Sequence, residues 1–240
     1  MNDVLAALAE QHAELESILV ELDDDGWARP TPCEGWDVKD VVLHLAQTDE
    51  LALASLAGQL PDRPMGDVDA SAAVAVADQR AATAGEVHAR WREGADEVRQ
   101  ALANADPHER VQWVAGRLSA WTLATTRLAE CWVHTDDVAT AVGVGRAPAP
   151  RIEHIARLAW RTLPYAFERA GQALSGPVAF HLTGTGGVDL VPAEPATTSV
   201  TGPALDLCLV AGRRADPAST ALRAEGPDAD AVLALVRTYA

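Results

Sequence analysis

Residues 127–138 read RLAECWVHTDDV, a stretch with the periodicity of one continuous helix that nevertheless places Glu130 and His134 four residues apart on an otherwise apolar face. Leu123, the stem of Arg127, Trp132 and Val138 surround the two at helical intervals. At that spacing their Cβ atoms stand roughly 5–6 Å apart, so both side chains can reach one ion. A carboxylate and an imidazole turned into a core need a partner that offsets their lost hydration. A metal ion is such a partner, provided a third ligand arrives from elsewhere in the chain.

The rest of the chain supplies the setting for that helix. Apolar positions Val4, Leu8, Leu15, Ile18, Leu19 and Leu22 predict a first amphipathic helix over 3–22. The stretch DDDGWARPTPCEGW, with two prolines, two glycines and two tryptophans, reads as a structured connection. Asp37 then opens a second helix as its N-cap, with Asp40 three positions on, running to about Gly58 and carrying His44 on its apolar side. After the loop LPDRPMGDVD, the Ala-rich residues 70–105 read as helix with a break near Gly85 and with Trp91 and Val98 on the buried face. The segment DPHERVQWVAGRL connects to the helix capped by Ser119, which ends at Gly143. Four helices before residue 145 is the count of a four-helix bundle.

GVGRAPAP marks a boundary, and beyond it the period changes. Residues 151–172 predict a helix interrupted at Pro164. VAFHLTG and VDLVPA alternate around TGTGG, a hairpin signal, and VTGPALDLCLVAGRR follows as strand then helix. TALRAEG reads as a short strand and DADAVLALVRTY as a terminal helix. The expected organisation is mainly α: a helical bundle over residues 1–145 and a small α+β domain over 151–240.

Composition narrows the function. With 35 acidic against 19 basic residues the net charge is -16, which disfavours nucleic acid or an anionic membrane as partner. No stretch reaches the roughly 18–20 apolar residues that span a bilayer, and the acidic N-terminus lacks the basic start of a signal peptide. Cys33, Cys131 and Cys208 form neither a disulfide framework nor a CxxC motif. The expectation is a cytoplasmic protein acting on a small molecule, with its oligomeric state open.

His44, facing the core from the second helix, is the candidate third ligand beside Glu130 and His134. Two histidines and a glutamate leave a coordination position open, as in catalytic zinc sites, and the same set suits ferrous iron. Zinc is preferred because the chain shows no other feature of oxygen chemistry, with iron, nickel and manganese left open. The ordinary alternative has His44 and His134 as core histidines bonded to neighbours and Glu130 paired with Arg127. Asp137, three residues after His134, either orients that imidazole or is a solvated helix acid. His12, His88, His108, His154 and His181 have no such partners in pattern. Cys131 follows Glu130 directly and should point roughly 100° around the helix, away from the site.

TPCEGWDVKDVVLHL resembles the N-terminal signature of the mycothiol-dependent maleylpyruvate isomerase family, a branch of the DinB-like bundles, and RLAECWVHTDDVATAVG resembles its second signature. VTGPALDLCLVAGRR resembles the small C-terminal domain of a subgroup described as metal-binding proteins. The resemblance implies a DinB-like four-helix bundle, a divalent metal, most often zinc, held by His44, Glu130 and His134, and mycothiol as a thiol cosubstrate. It further implies an anionic substrate, for which Arg213 and Arg214 are candidate catalytic residues through guanidinium–carboxylate pairing. Surface arginines closing a helix C-terminus are the alternative for those two. Trp36 and Trp132 are candidates to wall the site, or simple core. Two other functions stay open: a thiol-independent metal-dependent lyase, hydrolase or cyclase, and a non-catalytic protein binding a metal and a ligand.

Overall fold

Asp37 and Asp40 bond each other's backbone N–H groups in a reciprocal capping box, which starts α3 (Val38–Leu56) at the point the sequence marks. The computed structural model describes residues 2–61, 68–114 and 116–238, and the chain divides into two compact units, Met1–Arg146 and Ala147–Ala240.

In the first unit, α1 (Asn2–Leu19) packs on α5 (Ala84–Asn104) and α6 (Ala120–Val142), and α3 packs on the same two helices. This is the expected bundle. Leu8, Leu15, Val41, Leu43, Leu45, Val98, Leu123 and Leu128 are fully buried, and burying each such side chain contributes about 1.5–3 kcal/mol. The connection after α1 contains a one-turn helix, α2 (Asp24–Trp27), capped by Asp23. It returns to α3 through bonds that tie Thr31 to Trp36 and Val38 to Arg29.

Two details of this unit differ from the sequence reading. The Ala-rich stretch is two helices, α4 (Val68–Gln79) and α5, and the break falls at residues 80–83 because Thr83 and Glu86 form a capping box that restarts the chain. Part of the loop expected before α4, residues 62–67, lies outside the described residues. The connection from α5 to α6 is an antiparallel hairpin, β1 (Arg110–Trp113) with β2 (Gly116–Ser119), which buries Val111 and Trp113.

Helix α6 is almost entirely buried. Ser119 caps its start by accepting from Thr122 N–H, and Gly143 ends it in a left-handed conformation (φ 74°) that residues with a Cβ adopt only at a cost.

In the second unit, α7 (Ile152–Arg169) runs through Pro164 without the expected interruption. A single proline removes one intrahelical bond, and the buried stripe Ile155, Ala159, Leu163, Phe167 continues on both sides of it. Four strands follow in spatial order β4-β3-β5-β6. The expected hairpin is β3 (Val178–Thr183) with β4 (Asp189–Leu190), antiparallel with Phe180 opposite Leu190. β5 (Thr198–Pro203) lies parallel to β3 and leads into α8 (Ala204–Ala211), then β6 (Arg223–Glu225) and α9 (Ala229–Leu235). The terminal helix ends before Arg237, and residue 239 of its expected span is outside the described residues. The chain is thus a mainly α protein with a small α+β unit. Among the described residues no helix is long and apolar enough to cross a membrane.

Candidate metal centre

Helices α3 and α6 pack together, and where they meet, His44, Glu130 and His134 come together in the interior of the first unit. Glu130 Oε1 lies 2.8 Å from His44 Nε2 and 3.5 Å from His134 Nε2. The two imidazoles meet edge to face, with centroids 5.0 Å apart. All three side chains are buried, and their donor atoms lie within 4.8 Å of one another. Metal–ligand bonds of about 2.0–2.1 Å in tetrahedral geometry put neighbouring donor atoms roughly 3.3 Å apart, so the two spacings at Glu130 bracket what a zinc-sized cation needs.

The electrostatics support that fit. Burial works to raise the Glu130 carboxyl, but hydrogen bonds from His134 and His44 outweigh it and hold the group well below the usual carboxylate range. Burial lowers His44, with Glu130 opposing. Burial also works against charge on His134, but Asp137, Cys33 and Glu130 together hold it well above its ordinary value. An ionised carboxylate therefore faces two imidazole nitrogens at a point where a cation can replace their protons.

Asp137 orients the set. His134 Nδ1–H donates to Asp137 Oδ2 at 2.9 Å, which fixes the tautomer and leaves Nε2 toward Glu130. The Cys33 thiol donates to the same Asp137 oxygen at 3.2 Å, with its sulfur 3.9 Å from His134 Nδ1. Spacing on α6 pointed to Asp137. Nothing in spacing pointed to Cys33, which reaches the site from the α2–α3 connection, 101 residues away.

The ordinary alternative for Glu130 does not hold, since Arg127 donates instead to Asp49 on α3 at 3.1 Å. Cys131 lies apart from the three donors, 3.9 Å from the Thr135 hydroxyl, and burial pushes its thiol up to about 12. Trp36 stands against His44 with centroids 5.1 Å apart, whereas Trp132 lies under the Arg146 guanidinium at 5.6 Å. Arg213 and Arg214 belong to the second unit, just past α8. They line a pocket of about 410 Å³ with Val210, Asp216, Leu233 and Arg237. Arg213 has a left-handed backbone (φ 61°), which is uncommon for a residue other than glycine, and Arg214 donates to the Gly212 carbonyl at 3.0 Å.

Residues 8–139 match the mycothiol maleylpyruvate isomerase N-terminal domain. The chain belongs to this family. All three buried donors, Cys33 and Asp137 fall inside the matched span, and the two arginines fall outside it. Uncharacterized proteins from two strains of Mycobacterium tuberculosis, CDC 1551 / Oshkosh and H37Rv, are each 31% identical over 248 residues, covering 98% of this chain and 95% of theirs. Among solved structures, the mycothiol-dependent maleylpyruvate isomerase and a histidine-to-alanine mutant of it each match with a TM-score of 0.65 at 17% identity, over 95% of both chains. At that identity the likeness is one of fold, and it extends beyond the family's N-terminal domain to nearly the whole chain.

Proposed function

We propose that this family member is a divalent-metal-dependent enzyme that activates a low-molecular-weight thiol of the mycothiol type for isomerisation of, or transfer to, a small electrophilic acid. His44, Glu130 and His134 would hold the metal, with zinc the first candidate. The observation that carries this reading is the buried Glu130 carboxylate set between two imidazole nitrogens, one of them oriented from behind by Asp137. Three protein donors are one fewer than a closed structural zinc site uses, and none is a cysteine, which favours chemistry over a structural role. A divalent metal bound there supplies a positive charge that lowers the pKa of a thiol at the open position.

The chain's own residues supply the rest. Asp137 keeps the His134 Nδ1 proton in place, and with it the aim of Nε2. Trp36 packs against His44, with the rings tilted and their centroids 5.1 Å apart. For an alkenoic acid, the thiolate sulfur bonds to one alkene carbon while the π pair moves onto the carbonyl. Rotation about the resulting single bond and loss of the thiolate then return the alkene in its other geometry. Such a substrate carries a carboxylate, and Arg213 and Arg214 are kept as its candidate partners on the chemistry of guanidinium–carboxylate pairing alone.

Turnover of a cis-alkenoic keto acid, followed by its ultraviolet absorbance, tests the reading. The rate should require both metal and a mycothiol-type thiol and should vanish in His44→Ala. Metal-dependent turnover that ignores the thiol would replace the reading with a thiol-independent lyase, hydrolase or cyclase. Metal binding without turnover of any such acid would leave a non-catalytic binding protein.

A further inference from the structure

The two helices that carry the three donors are also joined by a buried ion pair one turn along. Arg127 precedes Glu130 by three residues on α6, and Asp49 follows His44 by five on α3. Arg127 Nε donates to Asp49 Oδ1 at 3.1 Å, and one Nη donates to the Thr48 hydroxyl at 2.8 Å. That hydroxyl lies 3.0 Å from the carbonyls of both His44 and Leu45. The guanidinium thus connects within two hydrogen bonds to the backbone of the ligand His44. Its carbon also sits 6.0 Å from the Trp113 ring centroid.

Stability alone does not account for this pair. The side chains of Arg127 and Asp49 are only 2% and 3% exposed, and at that depth the attraction between opposite charges roughly offsets the cost of stripping their water. Burial pushes the Asp49 carboxyl up to about 6 even with Arg127 beside it. An apolar pair of similar volume would hold two helices together as well or better. It would not fix their sliding and rotation, because apolar packing tolerates small shifts that a planar, forked donor set does not.

We propose that the Arg127–Asp49–Thr48 clamp is a positioning device: it sets the register of α6 against α3, and so brings Glu130 and His134 to His44. The inference rests on the metal-site reading above. It explains why a costly charge pair occupies the core one turn from the donors, and it makes Arg127 and Asp49 matter for metal affinity without either touching the metal.

The deciding variant is the apolar exchange Arg127→Met with Asp49→Leu, made in the full chain. Zinc affinity is measured by competition with a chromophoric chelator, and the metal-free proteins are melted in parallel. The metal-free exchange variant should melt at or above the parent while its zinc affinity falls about tenfold to a hundredfold, the range seen when partners behind metal ligands are lost. The visible spectrum of the cobalt-loaded protein should shift as well, since it reports ligand geometry. Arg127→Lys, which keeps the charge but loses the fork, should weaken zinc in the same direction. A folded exchange variant with parental zinc affinity overturns the proposal. Should the exchange variant fail to fold, parental affinity in Arg127→Lys does so. Failure of the parent itself to bind zinc, with no difference from His44→Ala, removes the metal-site reading and the clamp's purpose together.

Discussion

His12 offers a quantitative test of how the bundle core is built. It lies on α1, 5% exposed, edge-on to Trp91 of α5 with ring centroids 5.9 Å apart, and its Nδ1 meets no hydrogen-bond partner among the described residues. Burial first, then the charges of Arg99 and Arg127, push its pKa down to about 3. In the unfolded chain it returns to roughly 6.5. Between those values the unfolded state binds a proton that the folded state refuses, so stability falls as pH falls through the window. Integrating from pH 7 to pH 5 gives a loss of about 2 kcal/mol from this group, or roughly 4–8 °C in melting temperature. Asp49 acts in the opposite sense: its folded pKa is raised to about 6, so its contribution is greatest below the unfolded carboxylate value and is lost as pH rises toward 6. Comparison of the parent with His12→Leu cancels that part. Urea unfolding of the metal-free proteins, followed by circular dichroism at both pH values, should show the parent losing about 2 kcal/mol more than the variant. Parallel losses in the two proteins would refute the assignment of a neutral, buried His12.

Two other substitutions probe the sites directly. Asp137→Asn keeps the shape but removes the charge that holds His134, so zinc affinity measured by chelator competition should fall about tenfold to a hundredfold, and the metal-free protein should also melt lower because a buried imidazole loses its charged partner. Arg213→Gly relieves the left-handed backbone and should raise the unfolding free energy of the second unit by up to about 1 kcal/mol, read by denaturant melts, while raising KM for an anionic substrate.

Much of this architecture was legible in the sequence, because its signals are local. The Asp37 cap of α3, the Ser119 and Gly143 ends of α6, and the four-residue spacing of Glu130 and His134 depend only on neighbours along one helix. The hairpin around TGTGG was legible for the same reason. What escaped depends on contacts between distant segments. The strands of the β1–β2 hairpin are four residues each, so the alternation in Arg110–Trp113 is too brief to stand out from a loop, and the hairpin forms where Val111 and Trp113 find a buried surface. The break in the Ala-rich stretch, by contrast, follows a local signal, the Thr83–Glu86 capping box, and lies close to Gly85, where the sequence placed it. Arg127 is within helical reach of Glu130, but a carboxylate on α3, 78 residues away in sequence, takes it instead. Cys33 likewise meets Asp137 across 104 residues, a pairing that no spacing rule announces.

The central claim is that His44, Glu130 and His134 form one metal centre. Elemental analysis of protein purified without added metal, beside His44→Ala and Glu130→Gln prepared identically, tests it most directly. The account predicts about one zinc per chain in the parent and less than about a tenth of that in each variant, with helical content retained because packing of the apolar faces holds the bundle. A parent that carries no metal even after incubation with zinc, iron or nickel, or variants that carry as much as the parent, would contradict it.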